Sequence, residues 1–337
     1  MTTTINFLRR ALIKTVAGVL VAAPLAASVH ASSLSSELLV YSSQPDRDLK
    51  GTIDAFNQHY PNVKVDVFRS GTTEVINRLR TEIAAGAPRP DVLLIADAVS
   101  MEALKKDGQL MPITDLKTEG ISSDFFDADH TYVGTKLIST GIVVNKQAKL
   151  TPTSWKDLLK PEFKNQVVMP SPLYSGAAAI TMGAWSKEQG LGWEFIEGLK
   201  ANQAIAVRGN GAVLQQVANG EKMIGVLVDF MALNAKAKGS PVDFVVPAEG
   251  LTYVTEPVAI LKAAKNVDAA KAFVNFLISK DGQAFSTTLG YIPLRDGVKL
   301  PEGYPAPDQL QFMKFDPSAI LDSAEDDKKR FSTVFGG

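Results

Sequence analysis

Serine, threonine and glycine gather where apolar stretches give way to helical ones, an arrangement that can hold a small anion without a dense cluster of cations. Arg69-Ser70-Gly71-Thr72-Thr73 follows the alternating segment Val63–Val67 and precedes a helical stretch that begins at Glu74. The first N–H groups of a helix have no intrahelical acceptor and carry a partial positive charge. A glycine there admits a ligand to the backbone, and neighbouring hydroxyls add donors. Ser171-Pro172-Leu173-Tyr174-Ser175-Gly176-Ala177 repeats the arrangement after the apolar run Gln166–Met169. Ser70, Gly71, Thr72, Thr73, Ser175, Gly176 and Ala177 are therefore candidates to grip one small anion. Taken singly, each motif is equally well explained as an N-cap, for which Ser and Thr are preferred. Recurrence in two parts of the chain favours a ligand.

Ser42 and Ser43 close the first apolar strand and form a third such junction, and Thr140 lies in Ser139-Thr140-Gly141 within a long strand-like segment. Arg208-Gly209-Asn210-Gly211 places a cation just before a helix, where a guanidinium can pair with phosphate or carboxylate or stay solvated. Asp229 ends the strand Ile224–Val228, where its carboxylate can bind a ligand amine or hydroxyl or cap the next helix. Glu256-Pro257 interrupts an apolar strand. Burying an acid there demands a partner: a ligand ammonium, a cation of the other lobe, or simple exposure. Asp97 reads better as a helix cap than as a ligand.

Composition removes most enzymatic alternatives. The chain has no cysteine, so disulfides, thiolate metal sites and a cysteine nucleophile are excluded. His59 and His130 each stand alone in polar surroundings, which argues against a metal pair or a triad. A secreted hydrolase using Ser175 is the rival class, but Tyr174-Ser175-Gly176-Ala177 lacks the Gly-x-Ser-x-Gly elbow. No cofactor is expected.

The N-terminus reads as an export signal. Arg9-Arg10 and Lys14 precede the apolar run Thr15–Ala27, and Val29-His30-Ala31 offers a cleavage site. The run is shorter than the ~20 apolar residues of a membrane span. Both the Sec and the twin-arginine route remain open, and either leads to the periplasm. Cleavage after residue 31 leaves 32 basic and 36 acidic residues, a net charge of −4, which argues against nucleic acid as a partner.

The remaining 306 residues exceed what one hydrophobic core usually holds, so two lobes are expected. Apolar strands at 38–41, 63–67 and 91–95 alternate with helices ending near His59, at 73–85 and at 100–107, which is an α/β lobe. Further strands at 166–169 and 224–228, with helices at 176–188, 193–201 and 213–218, make a second. The boundaries expected are a signal over 1–31, lobe one over 32–140, lobe two over 141–250, a return to lobe one over 251–295, and a helical tail over 296–337. Lys136–Asn145 and Thr252–Leu261 are the crossings, with a hinge near residue 140.

The chain resembles the ABC-importer solute-binding proteins of the ferric-ion-binding type, a cluster that includes binders of 2-aminoethylphosphonate, sugar phosphates and thiamine. Leu39-Val40-Tyr41-Ser42, Ser70-Gly71-Thr72, Ser154-Trp155-Lys156-Asp157-Leu158, Ser175-Gly176-Ala177 and the stretch from Val245 to Leu277 carry the resemblance, which covers nearly the whole chain. It implies a type II periplasmic binding protein fold: two α/β lobes, joined by hinge strands, that close on a ligand. It also implies a monomer that serves a membrane permease. Ferric binders carry adjacent tyrosines where this chain has Asp229-Phe230-Met231, so the resemblance favours an anion such as 2-aminoethylphosphonate over iron, with Asp229 and Glu256 on its ammonium tail. A ferric-ion, polyamine or other cation binder is the alternative within the class.

Overall fold

The computed structural model describes residues 36–304 and 310–336. The expected export signal lies outside them. Two sheets organise the chain. The first is built from β1 (Ser36–Ser42), β2 (Val63–Arg69), β3 (Val92–Leu94), β4 (Tyr132–Gly134) and β11 (Pro257–Ile260), in the order β2-β1-β3-β11-β4. β1 pairs in parallel with β2 and β3, and β11 runs antiparallel between β3 and β4. Alternation along these strands decides which core each residue enters. Leu38, Val40, Val92, Leu94, Val258 and Ile260 face one side, with helices α1 (Asp46–His59) and α8 (Val267–Ile278), while Tyr41, Leu93 and Ala259 face the other. That other side is covered by α2 (Thr72–Ala84) and α3 (Ala98–Lys106), which bury Val75, Ile76, Leu79, Met101 and Leu104.

The second sheet is built the same way. It has the order β10-β5-β8-β6-β7, with β9 (Val242–Val245) also paired to β5. Its members are β5 (Ile138–Asn145), β6 (Val167–Pro170), β7 (Ile205–Val207), β8 (Ile224–Val228) and β10 (Thr252–Val254). Ile142, Val144, Val167, Met169 and Val226 pack on α4 (Gly176–Lys187) and α5 (Gly192–Ala201). Val143, Val168 and Leu227 pack on α6 (Asn210–Ala218) and α7 (Asp229–Ala237). Among the described residues strands β4 and β7 and helix α9 (Lys280–Thr288) have no counterpart in the sequence reading.

The chain changes sheet at Thr135–Leu137, between β4 and β5, and again at Thr255–Glu256, between β10 and β11. β5 therefore belongs wholly to the second sheet, and the apolar stretch read as one strand over 252–261 is two. Both crossings touch: the N–H groups of Thr135 and Lys136 donate to Thr255 O at 3.0 and 3.2 Å, and Thr135 Oγ1 donates to Glu256 O at 2.7 Å. Lys136 and Glu256, both buried, form an ion pair across them. The tail then rejoins the second lobe. Met313 N donates to Leu251 O at 2.8 Å, and α10 (Pro317–Phe335) lies along α4, with Ile320 seated against Gly183, and also reaches α3.

Candidate functional site

A cavity of about 340 Å³ opens between the two sheets, and helix starts from both lobes converge on it. The first lobe contributes Ser43, Arg69, and Gly71-Thr72 at the start of α2; the second contributes Ser175-Gly176-Ala177 at the start of α4 and Gly209-Asn210-Gly211 at the start of α6. Ser175 Oγ caps α4 by accepting Ala178 N at 3.3 Å and also accepts Asn210 Nδ2 at 3.3 Å. The N–H groups of Gly176 and Ala177 are among those a helix leaves without an intrahelical acceptor. Asn210 Oδ1 is buried with no partner among the described residues.

The lobes are closed on each other. Tyr174 bridges them: its carbonyl accepts Thr73 N at 3.4 Å, and its ring lies so close over Gly71 that a Cβ there would sit 2.5 Å from it. A Cβ on Gly176 would fall 2.5 Å from Ala96 O and 2.8 Å from Thr72 Oγ1, both in the first lobe. Glycine at these two positions is what lets helix starts of opposite lobes approach. At the rim, Arg208 pairs with Glu74 of the first lobe at 3.1 Å while its guanidinium lies 4.6 Å from the centre of the Tyr174 ring.

Of the residues singled out from sequence, Ser43, Gly71, Thr72, Ser175, Gly176, Ala177, Arg208 and Glu256 line this cavity. Five do not. Ser42 is buried one residue behind, its Oγ accepting Gln44 N at 3.1 Å. Ser70 donates its hydroxyl to Glu74. Thr73 turns to a different cavity, since one step along a helix rotates a side chain by about 100°. Thr140 is buried within β5, paired with Thr252 on one side and Val228 on the other. Asp229 is sealed beneath the start of α7, where Oδ2 accepts Ser139 N at 3.0 Å, Ser139 Oγ at 2.6 Å and the Tyr304 hydroxyl, and Oδ1 accepts Phe230 N at 2.7 Å. Burial pushes its carboxyl up to about 6, against the pull of those hydrogen bonds.

Glu256 reaches the cavity already neutralised by Lys136. Burial pushes its carboxyl up and the Lys136 ammonium opposes this. Lys136 Nζ also lies 4.6 Å from the centre of the Tyr291 ring, and Tyr291 donates its hydroxyl to Asp48 at 2.8 Å. Glu256 has φ 38°, in the left-handed region, and precedes a proline. Such backbone is unfavourable for a residue with a side chain and persists only where the surroundings fix it. Here the buried ion pair does so.

Sequence reasoning did not select Arg69, Tyr174, Asn210, Ile138, Phe230, Met231 or Tyr291, all of which line the cavity. Tyr174 stood inside a singled-out loop, but a ring between two lobes leaves no trace in spacing. Arg69 stood at the head of another. It spends its guanidinium on backbone, donating from Nε to Gln44 O at 2.9 Å, and pairs loosely with the exposed Asp46 at 3.7 Å.

Converging helix starts and hinged lobes, with no catalytic group assembled among the described residues, describe a binding cleft, and the comparisons agree. The family model for bacterial extracellular solute-binding proteins matches residues 87–318, more than half of the chain. The chain belongs to this family. It is accordingly a binding protein and not an enzyme, with the type II periplasmic binding protein fold. An uncharacterized protein of Haemophilus influenzae is 29% identical over 289 residues, covering 80% of this chain and 81% of that protein. The spermidine/putrescine-binding periplasmic protein of Salmonella typhimurium is 27% identical over 222 residues, 59% of this chain and 62% of that protein. The periplasmic binding protein AfuA of Actinobacillus pleuropneumoniae, solved with fructose-6-phosphate bound, superposes with a TM-score of 0.81 at 21% identity over 89% of this chain and 98% of that one.

Proposed function

We propose that this protein is the periplasmic substrate-binding component of an ABC importer and that it captures a small anion, a phosphonate or phosphate ester, by lobe closure. The observation that carries the reading is the convergence of the α2, α4 and α6 starts on one cavity between the lobes. N–H groups of three helices present partial positive charge to one point, which suits a tetrahedral oxyanion. Contact with both lobes makes the ligand bind the closed form more tightly than the open one, and that difference drives closure. The protein acts as a monomer, delivered to the periplasm by its N-terminal signal, and passes its ligand to the membrane permease. Among the candidates, 2-aminoethylphosphonate has the right head; its ammonium finds both acids expected to receive it already engaged, Asp229 by hydroxyls and Glu256 by Lys136.

A polyamine is the second reading, favoured by the spermidine/putrescine-binding relative. It would need free carboxylates in the cavity. A thermal-shift screen with inorganic phosphate, methylphosphonate, glucose-6-phosphate, spermidine and ferric citrate separates the two, because a specific ligand raises the melting temperature by mass action. A saturable shift with the phosphorus oxyanions is expected. A shift with spermidine or iron and none with the anions would overturn the anion reading.

A further inference from the structure

We infer that the natural ligand is an anion whose remaining part is uncharged and apolar, not one that carries an ammonium group. This rests on the anion reading and concerns the other half of the same cavity. Besides the starts of α2, α4 and α6, the wall is made by Ile138 of β5, Val228 at the end of β8, Tyr291, and Phe230 and Met231 in the first turn of α7, where the Phe230 N–H is already taken by Asp229. Phe230 and Tyr291 pack against each other with their rings tilted by 39° and their centres 4.3 Å apart.

Among the described residues, Arg69, Arg208 and Glu256 are the charged side chains that line the cavity. The two arginines stand with the helix starts at the mouth, so the half that would receive the ligand's tail depends on Glu256 for any negative charge. Glu256 is held by the Lys136 ammonium in a pair that is almost wholly buried, with 2% and 3% of the two side chains exposed. A ligand ammonium entering here would give up its water, meet Lys136 behind the only acid, and share that acid with it. Asp229, the other acid expected at this end, is enclosed by Ser139 and Tyr304 and does not line the wall. Asp48 lies behind the Tyr291 ring and accepts its hydroxyl. An alkyl, aryl or weakly polar body loses nothing in this half and gains from leaving water. The cavity thus discriminates by charge at both ends: it attracts an anion at the mouth and rejects a cation at the floor.

Two ligands of nearly equal shape test this. Propylphosphonate and 2-aminoethylphosphonate share the head group and differ by a methyl in place of an ammonium. Titration calorimetry of both against the purified protein, with methylphosphonate as a head-only reference, is expected to rank propylphosphonate first, at least about tenfold tighter than 2-aminoethylphosphonate, with methylphosphonate weaker than propylphosphonate by about fifteenfold, as about 0.8 kcal/mol for each of the two added methylenes implies. Equal or tighter binding of 2-aminoethylphosphonate would overturn the inference and leave the anion reading standing. Failure of all three to bind, together with inorganic phosphate, would overturn both. Met231→Glu, which adds an acid to the half-buried edge of the apolar wall, is expected to reverse the preference, its folding checked by its melting transition. An unchanged preference in that variant would contradict the assignment of the tail to this wall.

Discussion

Two cavities of the same size, about 340 Å³ each, lie on either side of the start of α4 and share Gly176. Volume does not tell them apart; the parts of the helices that face them do. The front cavity receives the starts of α2, α4 and α6. The back cavity is walled mainly by the flanks of α2, α3, α4 and α10; Thr73 and Gly176 reach it from the starts of α2 and α4, and the start of α3 beside it is closed by its own cap. Asp97 Oδ1 accepts Val99 N at 2.9 Å and Ser100 N at 3.2 Å, and its other oxygen accepts the Ser100 hydroxyl. An anion at the back would meet that carboxylate. The acids that face them are also held differently: at the back Asp97 by neutral donors and Glu325 and Asp327 by partly exposed lysines, at the front Glu256 by a buried ammonium. A cavity of useful size is common where two lobes meet; helix starts converging from both sides are what single out the front one as the candidate site.

The largest effect should come from breaking the charged pair behind the front wall. Lys136→Met leaves Glu256 buried without its cation and is expected to cost about 3–5 kcal/mol of folding stability, measured by denaturant unfolding. Adding Glu256→Gln should recover most of that loss. Recovery absent from the double variant would mean that Lys136 supports the hinge by some route other than this pair.

Gly176→Val should come next. The new side chain would meet Ala96 and Thr72 of the opposite lobe and hold the lobes apart, and a clash of about 1–3 kcal/mol corresponds to a loss of affinity of roughly 5- to 150-fold. Ala324→Leu, which fills the back cavity instead, should leave the affinity unchanged. The opposite ranking would exchange the two cavities.

Asp229 contributes a pH dependence whose sign follows from burial. Its folded carboxyl titrates near 6 and its ordinary value is 3.8, so between those values the folded state binds the extra proton. Stability from this group is greatest below about 4, falls as pH rises through 6, and is level above. Lowering pH from 7 to 5 should therefore raise the melting temperature of the wild type relative to Asp229→Asn. The reverse order would place the carboxylate outside its enclosure by Ser139 and Tyr304. The smallest effect is expected at the rim, where Arg208→Gln removes an exposed pair worth about 0.2–1 kcal/mol. Ligand affinity should fall by no more than about fivefold, and by less at high salt.

Much of this arrangement is legible in the sequence, because strands and helix starts are local. Alternation at Val63, Val65 and Val67 gives β2, and Ser175-Gly176 marks α4 with its cap. The limits fall where the deciding partner is remote. Asp229 reads as a ligand contact because Ser139 lies 90 residues before it and Tyr304 75 residues after. Glu256 reads as an acid in want of a partner, and the partner is Lys136, 120 residues earlier. The apolar run across 252–261 reads as one strand because hydrophobicity continues through the turn of backbone at Glu256 that divides it between two sheets. β7 is three residues long and only partly buried, and its short apolar run at 204–207 does not by itself mark a strand.

The central claim is that an anion sits at the three helix starts of the front cavity with the lobes closed over it. A crystal structure of the protein grown with propylphosphonate tests this most directly. The phosphonate oxygens are expected within hydrogen-bonding distance of the Gly176 and Ala177 N–H groups and of the start of α6, with the propyl chain against Phe230. Phosphonate bound in the back cavity, or on the surface with the front cavity empty, would contradict it.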